Sequence, residues 1–242
     1  MLTARLKHLG LSEGDRVLDL GCGEGRHVHG LYIIGGLDIV GVDLHEPSLK
    51  KAAEGIEFLQ KDAIDEASYV KFETGDATAL RFEDNSFDAI ICSEVLEHLP
   101  DYDAAIAEMR RVLKPDGKLC ISVPHAWPER ICWNLAPPPN GYAFEPGGHI
   151  RIFDEVDLKV SVERHGFKLF RRHHAHGIHV PYWWLKCAFW KRKDDHPLIK
   201  AYHNFLVWDL MKKPFLTRAL DTILSPFMGK SLVLYFDGKD LA

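Results

Sequence analysis

The chain of 242 residues contains no C-x-x-C pair, and its five cysteines, Cys22, Cys92, Cys120, Cys132 and Cys187, are scattered and odd in number. That points away from a zinc ribbon and gives no disulfide framework. No window reaches the roughly 20 apolar residues that a bilayer-spanning helix needs. Residues Met1 to Arg5 lack the apolar core and cleavage site of a secretory leader, so a reducing cytoplasm is the expected location. Basic residues are not in excess: 30 Lys and Arg stand against 35 Asp and Glu, a formal net charge of -5. There is thus no overall drive towards nucleic acid or anionic lipid. What is present, 46% hydrophobic and 27% charged residues, is the composition of a soluble globular protein. The length fits one α/β domain with a sizeable insertion.

The most informative stretch is Arg16-Val17-Leu18-Asp19-Leu20-Gly21-Cys22-Gly23-Glu24-Gly25. An apolar run ends in a cluster of glycines, and a helical pattern follows from Arg26 to Ile34, stopped by Gly35-Gly36. That order predicts a buried parallel strand, a tight turn and a helix whose N-terminus faces a ligand. A pyrophosphate-binding G-x-G-x-x-G would place its third glycine where Arg26 stands. The spacing here is G-x-G-x-G. Asp38 to Asp43 reads as a second buried strand, ending about twenty residues beyond the glycines, where a doubly wound fold puts a carboxylate on ribose hydroxyls. Its two oxygens match two vicinal donors.

Position for position, Val17 to Gly25 resembles the first motif of the class I S-adenosylmethionine (SAM)-dependent methyltransferases. Further along, Phe87-Asp88 leads into an apolar strand and then Ser93-Glu94-Val95-Leu96-Glu97-His98-Leu99. With Arg-Val-Leu-Lys-Pro-Asp-Gly before the next strand, this looks like the small-molecule branch that includes the ubiquinone and menaquinone methylases. The resemblance covers residues 14–124. It implies a doubly wound, seven-stranded Rossmann-like α/β sheet with the last strand antiparallel; a lid and a helical insertion are expected beside it from the residues that follow. It also implies SAM as cofactor, held by Asp19, Gly21, Cys22, Gly23 and Gly25, by Asp43 and Leu44, by Asp76 and Ala77, and by Ser93. Asp76 would receive the adenine amine. The Asn/Asp-Pro-Pro-aromatic motif of amino-methylating DNA enzymes is absent, and Val123-Pro124 is followed by His125 rather than a cysteine nucleophile. A small-molecule acceptor is expected and a nucleic acid is not.

The remaining elements are expected as follows. A short helix lies within residues 1–13, and a helix runs from Glu46 to about Ala67. A third strand covers Val70 to Glu73, a helix Tyr102 to Leu113, and a turn Lys114 to Gly117. A fifth strand runs from Lys118 to Pro124. His125 to Ile150, rich in proline and aromatics, reads as a long lid loop at the ligand edge. Asp154 to His165 is helical and Phe167 to His174 a strand. Residues 1–175 and 230–242 then make the core, and 176–229 a helical, aromatic-rich insertion, with Leu198 to Met211 and Phe215 to Leu224 helical before a last strand at Ser231 to Phe236.

That insertion covers the substrate or forms a dimer contact, or its aromatics and Lys191-Arg192-Lys193 rest on a membrane surface, which suits a lipid-linked acceptor. His173, His174, His176 and His179 could ligate zinc or iron. No partnering cysteine or carboxylate stands at a recognised interval, so no metal is expected. The sulfonium makes the methyl carbon electrophilic, and the protein supplies alignment and dryness. A hydroxyl oxygen of a sugar, lipid-linked or aromatic metabolite is the expected acceptor. It would need a base, and His149, His179 and His125 are the candidates; His98 is expected to pack or hydrogen-bond at a helix start. Carbon methylation of a quinone-like ring and a non-catalytic SAM-binding protein are the alternatives.

Overall fold

A computed structural model describes residues 2–62, 68–145 and 147–238. Seven strands form one sheet: β1 (Arg16–Leu20), β2 (Asp38–Asp43), β3 (Tyr69–Thr74), β4 (Phe87–Ser93), β5 (Leu113–Pro124), β6 (Lys168–Ala175) and β7 (Ser231–Asp237). Their order is β3-β2-β1-β4-β5-β7-β6. β7 runs antiparallel to both β5 and β6, and the other pairings are parallel. This is the Rossmann-like sheet anticipated, with the last strand reversed and slotted between its neighbours.

The sheet is buried on both faces because its central strands are apolar at nearly every position. Side chains alternate. Leu18, Val40, Ile90, Ile121 and Leu234 join one core with α3 (Tyr102–Val112) and α5 (Glu155–Glu163). Val17, Ile39, Ile91, Cys120 and Tyr235 join the other with α1 (Arg26–Ile34), α2 (Glu46–Asp62) and the N-terminal Ala4, Leu6 and Leu9. The helices expected at α1, α3 and α5 stand within a residue or two of their expected bounds. The final residues of the helix expected to reach Ala67 lie outside the described residues.

Four expectations are corrected. The N-terminal helix shrinks to a 3-10 turn at Leu6–His8; Arg5 N–H donates to the buried Tyr235 hydroxyl at 2.7 Å, which pins the segment against β7. The Lys114–Gly117 turn is absorbed into β5 as an irregularity, because Leu113 pairs with Phe87 while Lys118 pairs with Ala89. The lid segment is not all loop: Ala126–Leu135 is a helix, α4. Pro128 sits in its first turn, where a missing N–H is tolerated, and Cys132 and Ala136, four apart, pack against Cys187. The helix expected to end at Leu224 continues past Pro226 to Met228.

β5 and β6 both end at the edge where the parallel strands present their carboxyl termini, and the excursions after them lie over it. A 3-10 turn at Gly177–His179 leads into α6 (Val180–Ala188), α7 (Pro197–Lys212) and α8 (Phe215–Met228). His125 N–H donates to Lys230 O at 2.7 Å, tying the start of α4 to the end of this insertion.

Because β7 completes the sheet between two neighbours, its buried side chains carry much of the stability. Phe236→Ala should lower the unfolding free energy by about 3–5 kcal/mol in urea denaturation. A loss below about 1 kcal/mol would show that β7 is not packed as described.

Candidate active site

The loop after β1 is bound to the end of β2 by backbone. Gly21 and Cys22 N–H groups donate to Val42 O at 2.7 and 3.0 Å. Gly23 N–H donates to Asp43 Oδ2 at 2.7 Å, and His45 N–H donates to Oδ1 at 2.8 Å. Gly21 has φ +69, and a Cβ there would stand 2.3 Å from Val95 Cγ2. Only glycine permits both the conformation and the approach. Gly25, at φ +83, likewise lets α1 meet α2, since its Cβ would lie 2.8 Å from that of Ala52.

In front of this loop lies a cavity of about 210 Å³, lined by Gly21, Asp43, Leu44, Ala77, Glu94 and His98, with Leu20, Val42, Gly75, Val95 and Leu99 behind them. It crosses the carboxyl ends of β1, β2, β3 and β4. Asp43 keeps an acceptor site on each oxygen after its two backbone bonds. Leu44 is 63% exposed at the mouth, an apolar platform for a flat ring. A nucleoside with a hydroxylated ribose fits this lining.

The other expected cofactor residues sit differently. Asp19 is buried, and burial pushes its carboxyl up to about 7, against the opposing charge of Arg26. It lies 3.9 Å from Nδ1 of His27, itself driven down to about 3 by burial and Arg26. Neither residue lines the cavity. Asp76 is exposed, and its Oδ1 accepts from the N–H and hydroxyl of Thr78, each at 2.8 Å, while Gly75 and Ala77 on either side face the cavity. Ser93 is buried in a hydroxyl pair with Ser122 at 2.8 Å, and Ser122 in turn donates to Glu94 Oε1 at 2.9 Å.

Next to the cavity is a polar cluster that the sequence did not assemble. Glu94, at φ +59, and His98 line the cavity itself. The His98 ring meets that of His149 edge-on at 5.0 Å between centroids. His149 Nδ1 donates to Glu129 Oε1 at 2.6 Å, and Trp133 donates to the same oxygen at 3.0 Å. Burial raises the Glu129 carboxyl, but the hydrogen bond and charge of His149 outweigh it and hold it below its usual range. Glu97 is fully buried, and burial and the neighbouring Glu94 lift its carboxyl well above normal. Burial and His149 lower His98. Glu97, His98 and His149 bring ligand atoms within 4.8 Å of one another, so the cluster could hold a cation as well as a proton.

Of the three histidines expected as base, only His149 reaches this cluster. His125 stacks on His174 at 4.1 Å and donates to Gly229 O, and burial drives it down to about 4. His179 lies against His176 at 5.5 Å and is also driven down to about 4 by burial. On its far side His149 lines a second cavity of about 210 Å³ with Tyr142, Trp183 and Trp190. Trp190 also borders an apolar cavity of about 760 Å³ between the ends of α4 and α6. His98 and Glu97 were on the page in Val-Leu-Glu-His-Leu. Glu129 had no local signal, because only the fold of α4 brings it to His149.

Residues 18–121 match the family model for a methyltransferase domain. The chain is 40% identical over 111 residues to an uncharacterised methyltransferase of Schizosaccharomyces pombe, covering 44% of this chain and 38% of that protein. It is 34% identical over 110 residues to a sterol 24-C-methyltransferase of Gibberella zeae, covering 46% and 28%. Over 114 residues it is 36% identical to a demethylmenaquinone methyltransferase of Staphylococcus aureus, covering 46% and 44%. These matches span less than half the length of each relative. Among solved structures, a SAM-dependent methyltransferase from Methanosarcina mazei superposes with a TM-score of 0.62 at 18% identity, over 99% of both chains. The cyclase SpnF superposes at 0.61 with 22% identity, over 98% of this chain and 79% of that one. At such identities the likeness is one of fold, and the fold alone does not set the reaction.

Asp43→Ala should weaken SAM binding by about 1–3 kcal/mol in calorimetric titration, the cost of stranding buried hydroxyl donors. Unchanged affinity would move the ribose elsewhere.

Proposed function

We propose that this chain, whose residues 18–121 match a methyltransferase domain, is a class I enzyme that uses SAM to methylate a hydroxyl oxygen on a lipophilic small molecule. The observation that carries the reading is the His149–Glu129 pair, a 2.6 Å hydrogen bond between a cavity that fits the cofactor and cavities with aromatic walls. Bound SAM supplies an electrophilic methyl group. Asp43 and the glycine loop would hold its ribose, and Leu44 would pack on its adenine. With Nδ1 committed to Glu129, His149 has Nε2 left to act on the acceptor's hydroxyl. Tyr142, Trp183 and Trp190 exclude water and hold an apolar body in line. The relatives named for sterol and menaquinone substrates support a lipophilic acceptor, and the 24-C methylation named for the sterol relative makes carbon methylation the second reading.

A lipid-linked acceptor also agrees with the surface of the insertion. α8 turns polar residues inward: Ser225 Oγ accepts from Gly177 N–H at 3.0 Å, and Asp221 Oδ1 accepts from Ile178 N–H at 3.1 Å. Leu216, Leu220, Ile223 and Phe227 face outward, and Phe215 at the α7–α8 turn is 87% exposed. Residues 176–229 carry eight basic against four acidic residues within an acidic chain. An apolar, cationic face of this kind suits the surface of an anionic bilayer. No described helix is long and apolar enough to cross one. All five cysteines are free and buried, in keeping with a reducing compartment.

Two measurements test the proposal. With labelled SAM and a panel of hydroxylated isoprenoid, glycolipid and aromatic acceptors, His149→Ala should lower kcat by about 10²–10⁴-fold while leaving SAM affinity intact. Full activity in that variant would favour the carbon reading. In sedimentation with phosphatidylglycerol vesicles, Phe215→Ser/Leu216→Ser should lose about 1–3 kcal/mol of binding. Equal partition of both proteins would remove the lipid surface from the account.

A further inference from the structure

Glu97 poses a physical problem. It is 0% exposed, and neither carboxylate oxygen has a hydrogen-bond partner among the described residues. A buried carboxylate left so is costly unless a proton or a cation compensates it. Its surroundings add negative charge, since Glu94 and Glu129 act on it against Lys230.

The two imidazoles beside it are prepared in the same way. His98 Nδ1 donates to Gly148 O at 3.2 Å, and His149 Nδ1 donates to Glu129 Oε1 at 2.6 Å. Each ring therefore has Nε2 left for another partner, and Nε2 of His98 stands 3.9 Å from Glu97 Oε1. Imidazoles that ligate metals are characteristically held through their other nitrogen by a carboxylate or a carbonyl. The backbone is tied here too: Ile150 N–H donates to Glu97 O at 3.0 Å, so the segment that brings His149 is fastened to the turn that carries the other two groups.

We propose that Glu97, His98 and His149 form a site for one divalent first-row transition cation. Two nitrogens and one carboxylate suit Mn²⁺, Fe²⁺, Co²⁺ or Zn²⁺ and leave coordination positions open. Once a cation displaces the proton of Glu97, three carboxylates set against Lys230 leave a charge deficit of the size that a divalent ion supplies. The site lies between the cofactor cavity, which His98 lines, and the cavity lined by His149. Its chemical role rests on the hydroxyl reading above. A cation there makes the acceptor's hydroxyl more acidic, and His149 then acts through the cation as a ligand rather than as the base. The hydroxyl proton passes to the carboxylate of Glu94, which lines the cofactor cavity, and a C–O bond forms as the C–S bond of the sulfonium breaks, leaving a neutral thioether.

The test is a Co²⁺ titration of the full chain after stripping with chelator, read by visible absorption and calorimetry with neither SAM nor acceptor present. One Co²⁺ per chain is expected. Glu97→Gln and His149→Gln should each weaken binding by more than about tenfold, and Glu129→Gln by about 10–100-fold through loss of ring orientation. His173→Gln, outside the cluster, should leave binding unchanged. Far-UV dichroism checks folding, and His149→Gln, at a less buried position, serves if Glu97→Gln does not fold. No Co²⁺ binding by the native chain, or binding that survives in a folded His149→Gln variant, overturns the proposal. Because no methyl transfer is involved, Co²⁺ bound in a chain that methylates no hydroxyl would sink the hydroxyl reading alone.

Discussion

The clamp between the loop after β1 and the end of β2 is the constraint on which the rest of this protein depends. A carboxylate, Asp43, accepts from the backbone of Gly23 on one oxygen and of His45 on the other. Gly21 meanwhile passes so close to Val95 that no side chain fits between them. Three of the four chain segments that border this cavity are thereby held at one separation. Asp43 is thus a structural acceptor that also lines the cavity. A backbone staple of this sort is stiff, because each N–H it consumes would otherwise be stranded.

Everything chemical beyond the cofactor is built by excursions from the same edge. The Glu94–His98 segment leaves β4, α4 and its following loop leave β5, and the aromatic helices leave β6. Glu94, Glu97, His98, Glu129 and His149 meet only because the first two of these excursions converge, and the third brings Trp183 and Trp190 to the cavity that His149 lines. The outcome is a row of features along one edge: the cavity at Asp43, the charged cluster, and the cavity walled by Tyr142, Trp183 and Trp190. Such an arrangement suits a reaction in which a cationic donor and an apolar acceptor meet away from water.

The doubly wound sheet was legible through a family resemblance whose carriers are local: apolar runs of strand length, glycines at fixed offsets, and an acid at the end of β2; the strand order came only with the structure. Helix α4 was missed because Trp127, Pro128 and the prolines from Pro137 look like loop, while its helical spacing of Cys132 and Ala136 acquires meaning only opposite Cys187 on α6. Asp19 and Asp76 stand where the pattern puts them, one buried behind the loop and the other accepting from Thr78 in its own turn. Glu129 left no trace in the sequence at all, since a glutamate on a helix is ordinarily a solvated residue.

The most direct measurement of the central claim is a crystal structure of the chain with S-adenosylhomocysteine. The account predicts the ribose hydroxyls on Asp43, the adenine against Leu44 and beside Ala77, and the thioether sulfur turned towards His98 and His149. A nucleoside bound elsewhere, or one in this cavity with its sulfur directed away from those two histidines, would contradict it.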